Sequence, residues 1–270
     1  MKQQLKMKNR MKVFCGVVAM VACMPAVRAE SVPDHPPEPD ARAILQKMAR
    51  YLAQAPGFSV IIDSKYDAIQ ADGQRIEFAE KRQVQLQRPS QLRVDVTRSD
   101  GDKGMVLFDG KTITTFKEEE NIYAQVPLAG TVDNAVVYLV KELQVAVPLA
   151  RMLLSTLPQE LESQVQSASY VEANTLTDVP TEHIAARLAN VDVQLWIAVG
   201  DQPVPRRVVI TYKNEPGQPQ FRADLSGWKM APSSSADAFV WTAPKGAELV
   251  PLLAPVHPEL PAVPAEGVTP

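Results

Sequence analysis

The chain has 270 residues, of which 46% are hydrophobic and 22% charged, and its formal net charge at pH 7 is −3. This length fits one globular domain with flanking segments better than it fits several domains. The acidic balance gives no electrostatic reason to bind nucleic acid.

The first 29 residues have the three parts of a secretory signal peptide. Five basic residues precede residue 13, residues 13–22 are apolar, and Val27-Arg28-Ala29 offers small residues to a signal peptidase. The apolar run is too short to span a bilayer well. We therefore expect export to the periplasm and cleavage after Ala29. The residues before Cys23 form a weak version of a lipid-attachment motif, so a lipid anchor at Cys23 is the alternative.

Cleavage at this position would change the chemistry of the mature chain. It would remove both cysteines, so neither a disulfide nor a cysteine-based metal site would remain. It would also leave 22 basic against 31 acidic side chains, a formal net charge of −9. No later segment reaches the roughly 18 apolar residues of a spanning helix. We expect neither a membrane-spanning segment nor a nucleic-acid partner.

Two proline-rich segments bracket the predicted domain. Residues 30–39 read as a spacer and residues 251–270 as a tail that we expect to be disordered, which leaves a domain at residues 40–250. The domain begins with a helix, because Asp40 can cap it, apolar residues follow at helical spacing, and Pro56-Gly57 ends it.

Alternating apolar and polar residues then predict antiparallel strands. The first group is expected at residues 58–69, 74–88, 92–97, 105–108, 112–116 and 122–126. Residues 131–157 carry few charges, which predicts one or two apolar helices broken near Pro148. Strands are expected again at residues 169–175, 182–188, 191–197, 206–212 and 220–225, and a last short element at 239–241. The pattern predicts an α+β domain in which helices cover one face of a large antiparallel sheet.

The predicted domain has no recognisable catalytic or metal-binding combination of residues. His183 is its single histidine, and a lone histidine in a strand is more often structural than catalytic. Neither a nucleophile elbow nor a phosphate-binding glycine loop occurs. Glu118-Glu119-Glu120 is best explained as a solvated turn. We therefore expect no enzyme activity, no metal site and no cofactor.

Several short sequence motifs follow one another along the domain. RPSQLRV (88–94) joins two predicted strands, a hairpin over residues 105–116 follows, NIYAQVP (121–127) forms the next strand, and a closing phrase spans 239–247. Together with the leading helix, they resemble the lipoprotein-carrier superfamily of LolA/LolB-like proteins. More narrowly, they are similar to the predicted periplasmic family called domain of unknown function 2092.

This resemblance implies a particular architecture and function. The large curved antiparallel sheet would form an incomplete β-barrel, with its concave face covered by helices. Relatives hold acyl chains or lipidated proteins in the apolar cavity, which implies a non-enzymatic periplasmic carrier or receptor for a lipid, acyl chain or lipidated protein. The alternative is a protein-interaction or sensor module of the cell envelope that holds no lipid.

The apolar pattern supplies eight candidate ligand-binding residues. They lie in the predicted strands and in the apolar insert, and the alternative for each is an ordinary core position. The candidates are Met105, Leu107, Phe116, Val136, Tyr138, Leu139, Leu143 and Trp196.

Overall fold

The computed structural model describes residues 39–141, 148–176, 178–230 and 236–252. The predicted signal peptide, nearly all of the spacer and residues 253–270 of the predicted tail lie outside the described residues, as does the candidate residue Leu143.

The domain begins with helix α1, Ala41–Gln54, as predicted. A side-chain oxygen of Asp40 accepts hydrogen bonds from the backbone amides of Arg42 at 2.9 Å and Ala43 at 3.1 Å. These bonds satisfy two of the amides that the start of a helix leaves unpaired. One face of the helix is buried, and it carries Ala41, Leu45, Met48, Ala49 and Leu52.

In the described residues, twelve strands form one sheet. They are β1 Gly57–Ile69, β2 Arg75–Gln87, β3 Gln91–Arg98, β4 Lys103–Phe108, β5 Thr112–Lys117, β6 Ile122–Pro127, β7 Ser167–Asn174, β8 Thr181–Arg187, β9 Val191–Ala198, β10 Pro205–Tyr212, β11 Gln220–Met230 and β12 Glu248–Leu249. Their order is β12-β6-β5-β4-β3-β2-β1-β11-β10-β9-β8-β7. Among these twelve strands, β12 and β6 are the one neighbouring pair that runs parallel. Within the described part of the chain the two end strands do not pair, so the sheet is an open half-barrel in an α+β domain, as expected.

The two faces of the sheet differ, because alternate residues of a strand point to opposite sides. On β1, Phe58, Val60 and Ile62 are buried in one large core cluster that also contains residues of the helices. Their neighbours Asp63 and Lys65 point to the other side and are exposed. We call the side under the helices the inner face and the opposite side the outer face. The prediction that helices cover one face is confirmed.

Three further elements complete the inner layer: helix α2 (Val132–Lys141), a 3₁₀ turn at Ala150–Leu153, and helix α3 (Leu157–Gln164). The first two lie in the predicted apolar insert, and Pro148 lies in a turn between them. Helix α3 is not predicted, because its eight residues, LPQELESQ, are mostly polar and give little helical periodicity.

The C-terminal segment crosses the outer face. A 3₁₀ turn at Ala236–Phe239 includes the predicted short element's first residue, and Phe239 packs against Met105 and Leu107 of β4. Strand β12 then lies beside β6 at the edge of the sheet. This edge pairing has no signal in the sequence, since β12 is two residues long.

Candidate ligand-binding cavity

A cavity of about 470 Å³ lies between the inner face of β8–β10 and the helical layer. Its volume is in the range of roughly 300–1,000 Å³ that is typical of small-molecule sites. The sheet contributes apolar residues at alternate strand positions, Ala186, Val191, Val193, Leu195, Val208 and Ile210. The helical layer contributes Leu45, Met48, Val140, Leu149, Met152, Leu157 and Leu161.

Many apolar side chains of this wall are only half-buried. They pack against the core cluster on one side and face the cavity on the other. An apolar ligand would remove their remaining surface from water, which is worth about 25 cal/mol per Å². The residues in this state are Val140, Leu149, Met152, Leu161, Leu188, Val191, Val193 and Ile210.

The wall carries no net charge among the residues that the structure describes. Its charged members are Arg151 and Glu160, and they pair with each other at 2.7 Å. Exposed lining residues such as Ser163 and Ala189 mark the part of the cavity that is open to solvent. This composition suits an uncharged ligand, because burying an unpaired charge is costly.

Helix α3 is held over the cavity by two side chains of α1. The guanidinium group of Arg42 donates to the carbonyl oxygens of Val165 at 2.8 Å and Gln166 at 2.9 Å, just past the end of α3. The amide of Gln46 donates to the carbonyl oxygen of Pro158 at 3.1 Å. Because these bonds reach both ends of a short polar helix, they fix the position of one cavity wall.

A second set of polar contacts holds the other end of the helical layer. The guanidinium group of Arg88 donates to the carbonyl oxygens of Ala55 at 3.2 Å and Leu153 at 2.9 Å, and it pairs with Asp133 at 3.5 Å. Asp133 also accepts from the backbone amide of Ser155 at 3.1 Å. Burial lowers the pKa of Arg88 from its ordinary value, and the charge of Asp133 opposes that shift. Arg88 thus joins the end of α1, the start of α2 and the 3₁₀ turn.

Tyr212, at the end of β10, is the one aromatic residue among the described residues of the wall. Its side chain is buried and belongs to the core cluster. Burial raises the pKa of Tyr212 to about 12, and the positive charge of Arg82 opposes the rise. The hydroxyl group is therefore protonated at neutral pH.

Three of the candidate residues form one cluster on the outer face, away from the cavity. Met105 and Leu107 are buried against Phe239, and Phe116 joins the same cluster. The ring of Phe116 lies 5.4 Å from that of Trp241. We call this group the outer cluster. Met105 and Leu107 lie on this face because successive residues of β4 point to opposite sides of the sheet, and Val106 and Phe108 are the ones that face the core cluster.

The other described candidates also lie outside the cavity wall. Val136 is buried in the core cluster, and Tyr138 and Leu139 pack against that cluster. Trp196 lies on the outer face, where its ring stacks on His183 at a centroid distance of 3.9 Å. Trp196 is on the wrong face for the cavity because its neighbours on β9, Leu195 and Ile197, are the residues that point inward. None of the seven described candidates forms part of the wall.

The residues of this wall are not among the sequence candidates, because the cavity joins distant parts of the sequence. Strand β9 gave a usable signal, since Val191, Val193 and Leu195 alternate with polar residues. That signal shows which residues point inward, but not whether a helix contacts them. The gap between α3 and the sheet forms the cavity, and the mostly polar sequence of α3 has no apolar pattern that predicts the position of this helix.

A second depression, of about 440 Å³, lies on the outer face of the sheet. Its wall is charged, and the charges pair across neighbouring strands, as in Lys81 with Asp63 at 3.2 Å and Arg207 with Asp224 at 2.9 Å. Such a surface is already satisfied by its own ion pairs and does not favour an apolar ligand. The inner cavity is therefore the better candidate for binding.

The described residues contain no group of three or more His, Cys, Asp or Glu side chains placed to hold a metal ion. His183 contacts Gln194 at 3.1 Å and Glu172 at 3.9 Å, and it stacks on Trp196. No helix of the described part is both long and apolar enough to cross a membrane.

The sequence profile of a family described as "Predicted periplasmic protein (DUF2092)" matches residues 41–253. This match confirms the narrower resemblance seen in the short phrases of the sequence. No curated protein matches the chain.

Solved structures with a similar fold come from several bacteria. An uncharacterized conserved protein from Thermus thermophilus is 12% identical with a TM-score of 0.47, over 78% of this chain and 99% of that one. The lipoprotein LppX from Mycobacterium tuberculosis is 13% identical with a TM-score of 0.46, over 72% and 97%. A LolA superfamily protein from Nitrosomonas europaea is 12% identical with a TM-score of 0.38, over 74% and 97%.

Proposed function

Because the chain belongs to the DUF2092 family of predicted periplasmic proteins, we propose that it is a non-enzymatic periplasmic carrier or receptor that binds an apolar ligand in the inner cavity. The ligand class is a lipid, an acyl chain, or the acyl group of a lipidated protein. The half-buried apolar wall between α3 and β8–β10 carries the proposal.

The physical basis of binding is the burial of apolar surface. Each methylene group transferred from water into such a wall contributes about 0.8 kcal/mol, so several of them give useful affinity without any charged contact. Entry and release would require α3 and the 3₁₀ turn to move away from the sheet. Such a motion would break the bonds from Arg42 and Gln46 to α3.

A matched pair of variants tests the proposal. Val193 is half-buried in the wall, whereas Val199 is 57% exposed just after β9. We expect Val193→Asp to weaken binding of the hydrocarbon probe diphenylhexatriene at least about tenfold, because a carboxylate in an apolar cavity is poorly solvated. Val199→Asp, the same change outside the wall, should bind as the native protein does.

Probe fluorescence gives the affinities, and thermal unfolding identifies any variant that fails to fold. A folded Val193→Asp protein with native affinity would contradict binding in this cavity.

A second function, docking of another envelope protein, is favoured by strand β7. It ends the sheet, and within the described residues it pairs with β8 alone. Val171 in this strand is 49% exposed. Open strand edges accept strands of other chains. A partner that cross-links to the native protein and to Val193→Asp, but not to Val171→Lys, would support this function.

A further inference from the structure

Tyr212 places a polar group in the apolar wall. Its side chain is 5% exposed, and it lies opposite Val191 of β9 at the cavity. In the part of the chain that the structure describes, the hydroxyl group of Tyr212 has no hydrogen-bond partner. This hydroxyl oxygen is not one of the fully enclosed side-chain atoms that lack a partner in the described residues, so solvent in the open cavity still reaches it. A ligand that fills the cavity would displace that solvent, and leaving the hydroxyl group without an acceptor would then be costly. Its position in the wall points to a partner supplied by the ligand.

The charged groups of the cavity wall, and the cation that acts on Tyr212, already have partners. Arg151 in the wall pairs with Glu160 at 2.7 Å. Arg82, whose charge reaches Tyr212, forms an ion pair with Glu80. An ionised carboxylate on the ligand would therefore meet no unpaired cation here, and its burial would be unfavourable.

We propose that the Tyr212 hydroxyl group donates a hydrogen bond to the uncharged carbonyl oxygen of an acyl ester or amide, whose hydrocarbon chain lies between α3 and strands β9 and β10. This inference rests on the proposed function and narrows its ligand class. The donor is available at every physiological pH, because burial raises the pKa of Tyr212 to about 12.

The test compares three fluorescent probes on the full mature protein: cis-parinaric acid methyl ester, ionised cis-parinaric acid at pH 8, and diphenylhexatriene. The native protein should bind the ester several-fold more tightly than the ionised acid. Tyr212→Phe should weaken ester binding roughly 3- to 10-fold, the usual effect of one neutral hydrogen bond. Binding of the hydrocarbon, which has no acceptor, should not change.

Tyr51→Phe is the matched control, because Tyr51 of α1 packs against the core cluster and is not part of the wall. It should leave the affinities for all three probes unchanged. Tyr212→Phe keeps the shape of the side chain and removes a hydroxyl group that bonds to no described protein group, so its thermal midpoint should stay close to that of the native protein.

Each result has a distinct meaning. If Tyr212→Phe weakens the ester and the hydrocarbon equally, or neither of them, the hydrogen bond is disproved while the apolar cavity stands. If the native protein binds no probe, the proposed function fails and this inference fails with it. Displacement of the bound ester by a diacylglycerol would identify a lipid as the natural ligand. Displacement by an N-palmitoyl peptide would identify a lipidated protein. If neither competitor displaces the ester, the proposal is wrong.

Discussion

Two apolar regions on opposite faces of the sheet are covered in different ways. On the outer face, Met105 and Leu107 are buried in a cluster with Phe239 of the C-terminal segment. On the inner face, Val193 and Ile210 remain half-buried because a cavity separates them from α3. Both regions are strand residues with the same apolar alternation. An apolar pattern therefore locates a buried face, whereas incomplete coverage is what distinguishes the candidate cavity from an ordinary core.

The two coverings are also attached differently. The outer segment is held mainly by packing, with Trp241 lying 5.4 Å from Phe116 and 5.3 Å from Tyr123 between ring centroids. The inner layer is attached by long polar side chains, among them Arg42 and Arg88. Long polar side chains can exchange their partners for water, so we expect the inner layer to open more easily than the outer segment.

The largest expected effect is on the outer cluster. Leu107 is 4% exposed between the sheet and Phe239. Leu107→Ala should lower the free energy of unfolding by about 3 kcal/mol, because it leaves a cavity in a filled site. It should not alter binding of diphenylhexatriene. Urea denaturation and probe titration measure the two quantities, and a loss of binding in the folded variant would show that the two faces are coupled.

Arg88 tests the polar attachment of the inner layer. Arg88→Met should lower the free energy of unfolding by about 2 kcal/mol, since the carbonyl oxygens of Ala55 and Leu153 lose a charged donor. It should also weaken probe binding, because the 3₁₀ turn forms part of the wall.

Arg93→Met is the counterpart on the outer face, where Arg93 donates to the carbonyl oxygen of Ala238 at 3.2 Å and pairs with Asp95. It should lower stability by a similar or smaller amount and leave binding unchanged. Equal binding losses in both variants would mean that the attachment of the inner layer does not shape the cavity.

Much of the fold could be predicted from the sequence, because local patterns determine it. Asp40 caps α1 where the sequence indicates, and the alternation of residues 58–69 and 191–197 matches β1 and β9. The half-barrel itself depends on the pairing of β1 with β11, whose paired residues are 155 to 172 positions apart in sequence. No local pattern predicts that pairing, and the family resemblance is what implies it.

The site could not be predicted in the same way. Met105 and Leu107 have the alternation of inward-pointing residues, yet the C-terminal segment on the outer face buries them instead. Trp196 is a candidate because of its size, although its position between two inward residues indicates the outer face. The cavity exists because α3 is held away from the inner face of the sheet. Its position is fixed by hydrogen bonds from Arg42 and Gln46, which are more than 100 residues away in sequence.

The smallest expected effect on stability comes from a second leucine-to-alanine substitution, this time on the inner side. Leu161 of α3 is half-buried in the cavity wall, so Leu161→Ala removes few protein contacts. We expect it to lower the free energy of unfolding by about 1 kcal/mol or less, and to weaken diphenylhexatriene binding several-fold, because the ligand loses apolar contacts. Leu107→Ala should show the reverse, with a large stability loss and native binding. If Leu161→Ala instead costs as much stability as Leu107→Ala and leaves binding intact, the inner wall is an ordinary core and the distinction between the two faces is wrong.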